Sequence, residues 1–315
     1  MVNAARAGVA FVFPGQASQK AGMAAELLEH EPTARQLFDR AGEVLGLNLA
    51  GLCTAGGDAA LTRTDTAQPA LLATCVAWHE ALRERGLMPQ VVAGHSLGEF
   101  SAWVAAGVLG FEEALRLVRR RGELMEEASD RRPGGMVAVI GLQEAQVAEI
   151  CKRAASAGVV AVANHNSPGQ VVVSGEPDAL DRVVEEAAAQ GGRAIALRVS
   201  GAFHSPLMED AAYSFAELVS KLALKPPRVP VIANFTAEPV TDAEAARQAM
   251  SRQMTSPVLW TASVRRMMRD GVQTFIEVGP GQVLSKLIQR ISSDVRALPV
   301  GTRAGLDAAL KALAE

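Results

Sequence analysis

The chain lacks what several protein classes require. No apolar run in its 315 residues approaches the ~18 that a membrane span needs. Lys and Arg total 31 against 34 Asp and Glu, for a formal net charge of −3 and a sequence pI of about 6.0. The basic surplus of a nucleic-acid binder is therefore missing. Cysteine is scarce: Cys53, Cys75 and Cys151 are scattered and odd in number. They make neither a disulfide framework nor a C-x-x-C knuckle, which fits a reducing compartment. The histidines (His30, His79, His95, His165 and His204) show no H-E-x-x-H spacing, so a metal centre is not expected. Gly8 to Phe13 is apolar but stops at Pro14-Gly15, too short for a signal-peptide core, and no cleavage pattern follows. No repeat or low-complexity segment is apparent. The expectation is a soluble, unexported, cytoplasmic protein that binds neither nucleic acid nor membrane.

What is present is a large apolar content, 49% of the residues, enough for one large domain carrying a smaller one. Val9 to Phe13 reads as a buried strand ending in Pro14-Gly15-Gln16. Helical patterns follow at 23–29, 33–45 and 68–85, then a strand at Val91 to Ala93 and helices from Glu99 and Phe111. A turn-rich, charged stretch, Ser129 to Gly135, breaks the composition. Beyond it the spacing predicts strand 136–140, helix 143–157, strands 159–163 and 170–174, helix 178–190 and strand 193–199. That β-α-β-β-α-β order is ferredoxin-like. After it come helix 208–222, strand 229–234, helices 242–253 and 261–269, strand 274–278 and a helix from Gln282. The fold expected is α/β. A large domain with a mostly parallel sheet (1–133 and 200–315) carries an inserted ferredoxin-like subdomain (134–199).

The most informative segment is Gly94-His95-Ser96-Leu97-Gly98. It lies between a strand and a helix, the context that turns a G-x-S-x-G match into a nucleophile elbow. A serine so placed needs a base and an anion-stabilising pocket. His95 is adjacent but should point away from the serine at a sharp turn. His204 lies in Gly201-Ala202-Phe203-His204-Ser205-Pro206, a loop before a helix, and could accept and return a proton near neutral pH. Neither Asp210 nor Asp242 sits in a recognisable acid loop, but a backbone carbonyl can also orient a histidine. One oxyanion donor would be the Leu97 amide, and the loop from Pro14 to Gln19 is the natural source of the second. Arg119, Arg120 and Arg121 follow one another on a helix, ~100° apart, so they cannot all face one pocket. A buried one would be a carboxylate clamp, but spacing alone does not choose among them.

Taken together, the ordered motifs carry a resemblance. They are Phe11-Val12-Phe13-Pro14-Gly15-Gln16, Gln68-Pro69-Ala70-Leu71, Gly94-His95-Ser96-Leu97-Gly98-Glu99, Arg121-Gly122 with Met125, Asn166-Ser167-Pro168-Gly169-Gln170, Phe203-His204-Ser205 and Glu277-Val278-Gly279-Pro280-Gly281. Essentially end to end, the chain resembles the malonyl-CoA:acyl carrier protein transacylases and the acyltransferase domains of polyketide synthases, whose large domain is α/β-hydrolase-like.

The resemblance implies Ser96 as nucleophile, His204 as base, and the amides of Gln16 and Leu97 as oxyanion hole. It selects Arg121 as partner of the malonyl carboxylate and Gln253 as the residue whose main-chain carbonyl orients the histidine. Met125, Asn164, Asn166 and Phe203 would line the substrate cleft, with Phe203 leaving little space for a methyl branch. The implied reaction moves a malonyl group from malonyl-CoA, through a malonyl-Ser96 ester, to the phosphopantetheine thiol of holo acyl carrier protein. No cofactor or metal is implied beyond the acyl-CoA donor, and a monomer is expected. Arg193, Arg198, Lys286 and Arg290 are candidates for docking an acidic carrier.

One departure is Ala17, where the family commonly has glycine; alanine would strain the loop if φ there were positive. The competing readings are a polyketide-pathway enzyme with a related extender unit, a serine thioesterase or hydrolase using water as acceptor, and a non-catalytic carrier-binding module.

Overall fold

The computed structural model describes residues 6–57 and 61–314. Strand β1 (Arg6–Phe13) leads through helices α1 (Ala25–His30), α2 (Pro32–Leu45), α3 (Leu49–Thr54) and α4 (Thr64–Glu84) to β2 (Pro89–Gly94). Helices α5 (Gly98–Ala105) and α6 (Phe111–Arg131) follow. Next come β3 (Gly135–Ile140), α7 (Glu144–Ala154), β4 (Val160–Ser167), β5 (Gln170–Gly175), α8 (Pro177–Ala189) and β6 (Arg193–Ala196). The chain continues with α9 (Glu209–Ser220), β7 (Val231–Ile232), β8 (Pro239–Val240), α10 (Ala243–Arg252) and α11 (Trp260–Arg269). It ends with β9 (Thr274–Val278), α12 (Val283–Ile291), β10 (Arg296–Val300) and α13 (Arg303–Ala314).

Two sheets result. The larger has the order β10-β9-β1-β2-β7-β8, parallel throughout except for the antiparallel β7–β8 pair at one edge. The smaller, β4-β5-β3-β6, is antiparallel and carries α7 and α8 in the ferredoxin-like order expected. The central strands of the parallel sheet are covered on both faces, as such sheets require: the last five residues of β1 are all buried. On one side lies the largest core, where Trp78 and Trp103 are fully buried; Trp260 belongs to the core on the other side.

The antiparallel sheet is tied to the rest by backbone. Val258, in the segment before α11, donates to Ala163 O at 2.8 Å and accepts from His165 N at 2.9 Å. The Thr261 hydroxyl adds a bond to His165 O at 3.1 Å.

The structure differs from the expected elements mainly at boundaries. Helix α4 starts at Thr64 rather than Gln68 because Glu126, distant in sequence, accepts from Thr64 N at 2.8 Å and caps it. Strand β6 stops at Ala196 rather than Val199: its ladder with β3 closes at the Val137–Ala196 pair, with one further bond from Leu197 N to Met136 O at 2.9 Å. The expected helix 143–157 ends at Ala154 and tightens into a 3-10 turn before Gly158. The expected strand 229–234 keeps only two paired residues in β7. Helix α3, strands β8 and β10 and helix α13 were not foreseen. Pro299 disguises β10, which tolerates it as an edge strand.

At the elbow the two motif glycines meet backbone. A Cβ on Gly94 would lie 1.9 Å from Gly98 C, and one on Gly98 would lie 2.0 Å from Phe13 O. Gly98→Ala is expected to destabilise the fold by about 3 kcal/mol or more, because backbone cannot yield as a side chain can. Ala17 has φ +77, so the strain foreseen for that loop is present. Ala17→Gly should raise stability by roughly 0.5–1 kcal/mol, the relief of the left-handed conformation less the added chain entropy. Denaturant unfolding of both variants checks these outcomes.

Candidate active site

Strands β1 and β2 are parallel neighbours in register at Phe13 and Gly94, so the loops after them leave the same sheet edge side by side. Sites in such sheets form at the carboxyl ends of the strands. His95 N donates to Phe13 O at 3.0 Å and fixes the two loops together. Ser96 follows with φ +50, the strained turn that lifts its side chain off the sheet. Asn234, just beyond β7, braces the turn: its Oδ1 accepts from Ser96 N at 2.7 Å and its Nδ2 donates to Gly94 O at 2.6 Å.

His204 reaches this point from the loop before α9. Its Nε2 is 2.8 Å from Ser96 Oγ. Its Nδ1 faces two carbonyls, Gln253 O and Ser256 O, each at 3.0 Å. A carbonyl only accepts, so Nδ1 carries the proton and Nε2 presents a lone pair to the serine hydroxyl. Burial, reinforced by the charge of Arg121, pulls the imidazole down from 6.5 to about 3, against the pull of the two carbonyls. The ring is therefore neutral at pH 7. His95 turns away, as expected: its Nε2 meets Asn166 Oδ1 at 2.9 Å and its ring packs edge-on against Trp260.

Burial distinguishes the three arginines. Arg119 pairs with Glu123 and the Leu45 carbonyl, and Arg120 with Glu123 and Glu127, all partly or fully exposed. Arg121 is 1% exposed. One terminal nitrogen donates to Gln68 Oε1 at 3.0 Å; the other donates to Gln253 Oε1 at 2.8 Å and Ser96 Oγ at 3.3 Å. Its Nε has no acceptor, and the group lies 5.5 Å from the Phe100 ring centroid. Among the described residues no carboxylate forms an ion pair with it. Burial lowers its pKa from 12.5 to about 10, with Glu99 opposing, so it remains a cation at neutral pH.

A cavity of about 320 Å³ opens onto Ser96 and His204, between the two sheets. Gln16, Met125, Asn164, Asn166 and Phe203 all line it. Arg121, Leu97 and Gln253 are not on its wall; they adjoin the serine or the histidine. The amides of Gln16 and Leu97 have no acceptor among the described residues, which leaves both donors free for an anion. A polarised serine, a neutral base, two free amides and a fixed cation can together make and break an acyl ester.

Four contributors escaped the sequence reading: Asn234, Ser256, the side chain of Gln253 and buried Glu99. Glu99 was visible only as a motif letter, and Gln253 was named for its main-chain carbonyl alone. The contacts of Asn234 and Ser256 join distant segments, and nothing local in the sequence signals them.

Known proteins resemble this chain along nearly its whole length. Residues 10–307 match the acyl transferase domain family. The malonyl CoA-acyl carrier protein transacylase of Salmonella typhimurium is 44% identical over 303 residues, covering 96% of this chain and 98% of that protein. The crystal structure of malonyl-CoA:acyl carrier protein transacylase from Xanthomonas oryzae superposes with a TM-score of 0.95 at 43% identity, covering 98% of this chain and 99% of that one. A malonyl-transacylase solved in complex with its type II polyketide-synthase acyl-carrier protein gives a TM-score of 0.94 at 41% identity, over 96% and 99% of the two chains. With a family match spanning nearly the whole chain and relatives aligned end to end, this chain belongs to the acyl transferase family.

Proposed function

We propose that this enzyme transfers malonyl from malonyl-CoA to the phosphopantetheine thiol of holo acyl carrier protein through a malonyl-Ser96 ester. The observation that carries the substrate is Arg121, a buried cation without a carboxylate partner, 3.3 Å from the serine oxygen. A buried charge left unpaired is costly, and a malonyl carboxylate would supply the missing partner in bidentate form.

In the first half-reaction Ser96 Oγ attacks the thioester carbonyl while His204 Nε2 takes its proton. The carbonyl oxygen becomes an oxyanion held by the amides of Gln16 and Leu97. Collapse breaks the C–S bond, and His204 returns the proton to the departing CoA thiolate. In the second half-reaction the carrier thiol gives its proton to His204 and attacks the ester. Collapse of that intermediate frees Ser96, which recovers the proton. Each half uses the same groups in opposite order. Gln253 O and Ser256 O keep the ring in the required tautomer throughout, the part an aspartate plays in serine proteases. Serine, histidine and amides supply every role, so the acyl-CoA donor is the only coenzyme assigned.

Phe203 puts a bulky ring on the cavity wall, which supports malonyl over an extender with a methyl branch. At the cavity rim Arg198 adjoins the exposed apolar side chains of Leu197 and Val283, a surface suited to an acidic carrier. The change from parallel to antiparallel pairing supports treating 134–199 as a subdomain set into 1–133 and 200–315. No helix among the described residues is long and apolar enough to cross a membrane. The three cysteines are buried free thiols, which suits the cytoplasm.

Intact-protein mass spectrometry after mixing with malonyl-CoA, followed by a chase with holo carrier, tests the proposal. The expected result is one malonyl adduct on Ser96 that moves to the carrier; loss to free malonate with an unloaded carrier would identify a hydrolase. Arg121→Ala should lower kcat/KM for malonyl-CoA by about 100-fold and leave acetyl-CoA transfer unchanged or raised. Unaltered malonyl preference would refute the clamp. Because the folded environment disfavours the imidazolium, His204 stays available as base as pH falls. The acid limb of the acylation rate should therefore have its midpoint well below 6.5. A stopped-flow pH profile showing a midpoint at or above 6.5 would contradict that assignment.

A further inference from the structure

Glu99 has no part in the steps above, yet it is buried beside them in the first turn of α5, 1% exposed. Its Oε1 accepts from Asn234 N at 2.8 Å. Its Oε2 accepts a short hydrogen bond from Gln253 Nε2. The same Nε2 donates to Ser96 O at 3.0 Å, while Gln253 Oε1 accepts from Arg121 at 2.8 Å. The Gln253 amide therefore has its donor end between two acceptors and its acceptor end on a guanidinium.

We propose that Glu99 is a positioning residue that fixes which end of the Gln253 amide meets Arg121, and so keeps Arg121 charged, aimed and free to receive the substrate carboxylate. The inference rests on the malonyl reading above. A guanidinium has only donors, so the neighbour holding it in place must present an oxygen. A glutamine can present either end, and only its other contacts decide. An ionised carboxylate accepts and never donates, so it holds the NH₂ end of Gln253 and turns the oxygen toward Arg121. Flipping the amide would set NH₂ against guanidinium and oxygen against both carboxylate and carbonyl.

Glu99 also supplies negative charge without touching Arg121. A direct ion pair would occupy the guanidinium and compete with the substrate. Placed one amide away, the carboxylate supports the cation and leaves it unneutralised by contact. Burial raises the carboxyl, and the bonds from Asn234 and Gln253, with the Arg121 charge, hold that rise to about 7; both oxygens accept from N–H groups, the arrangement of the carboxylate form. Its second oxygen, through Asn234, reaches the residue that braces the serine turn.

The test is Glu99→Gln, which keeps size and removes the acceptor-only group. A glutamine has one oxygen for two donors: with that oxygen on Asn234 N, its NH₂ faces the NH₂ of Gln253 or makes that amide flip onto Arg121, and with the oxygen on Gln253, its NH₂ faces Asn234 N–H and loosens the support of the same cluster. We measure kcat/KM for malonyl-CoA and acetyl-CoA, each per active serine titrated by acyl adduct. The expected result is a fall of about tenfold or more in the malonyl-to-acetyl ratio. Structural damage alone lowers both substrates in proportion, so a ratio within about twofold of the wild type would overturn the proposal. Gln253→Met, which deletes both ends of the amide, should lose the ratio similarly, and combining the two changes should add nothing further. Additive losses would mean that Glu99 acts by another route and would also overturn it. Should Glu99→Gln not fold, Gln253→Met carries the test alone, and an unchanged ratio there refutes the proposal. Absence of malonyl preference in the unmodified enzyme would instead refute the substrate reading.

Discussion

The site depends on one steric constraint: two loops crossing with no space between their backbones. The Phe13 carbonyl accepts from His95 N and sits where a side chain on Gly98 would begin. This contact holds together the loops that carry the amides of Gln16 and Leu97, eighty-one residues apart in the chain. Beside it Ser96 is left-handed, strain that the hydrogen bond from Ser96 N to Asn234 Oδ1 offsets. His204 stands on a second left-handed backbone, at φ +58, so both partners of the Ser96–His204 hydrogen bond are held by conformations the chain would not choose alone.

The second organising feature is charge kept without a counter-ion in contact. Arg121 is wrapped by two glutamine oxygens, a serine hydroxyl and the face of Phe100. These groups position a cation without neutralising it. Burial, with the same cation, keeps His204 neutral, so the charge beside Ser96 also bears on the protonation state of the imidazole. The arrangement costs stability, since an unpaired buried cation is unfavourable, and functional sites are where such costs persist.

Much of this could be read from the sequence. The elbow, the loop after β1, the histidine loop and the order of the antiparallel sheet all carry local signals: glycines at fixed offsets, turn residues and alternating apolar positions. The fold class follows from the alternation of strands and helices. What escaped was set by distant partners. Glu126 caps α4 from sixty-two residues away, and no propensity records that. Strand β7 is two residues long and β10 contains a proline, so neither repeats a pattern long enough to register. Spacing showed that three consecutive arginines could not share a pocket; only packing shows which one is inside. Gln253 was read for its carbonyl alone, because the direction of an amide depends on neighbours that the sequence does not place together.

The backbone bonds between Val258 and β4 bear on how the cleft behaves as a mechanical object. Two residues before Val258, Ser256 lends its carbonyl to His204; on the β4 side of the same bonds, Asn164 and Asn166 line the cavity that Ser96 also faces. Rocking the antiparallel sheet to widen the slot would therefore drag on the strut that aims the imidazole. Slot width and ring orientation are geared together, and a frame of this kind favours a preset aperture over a jaw that closes on its cargo.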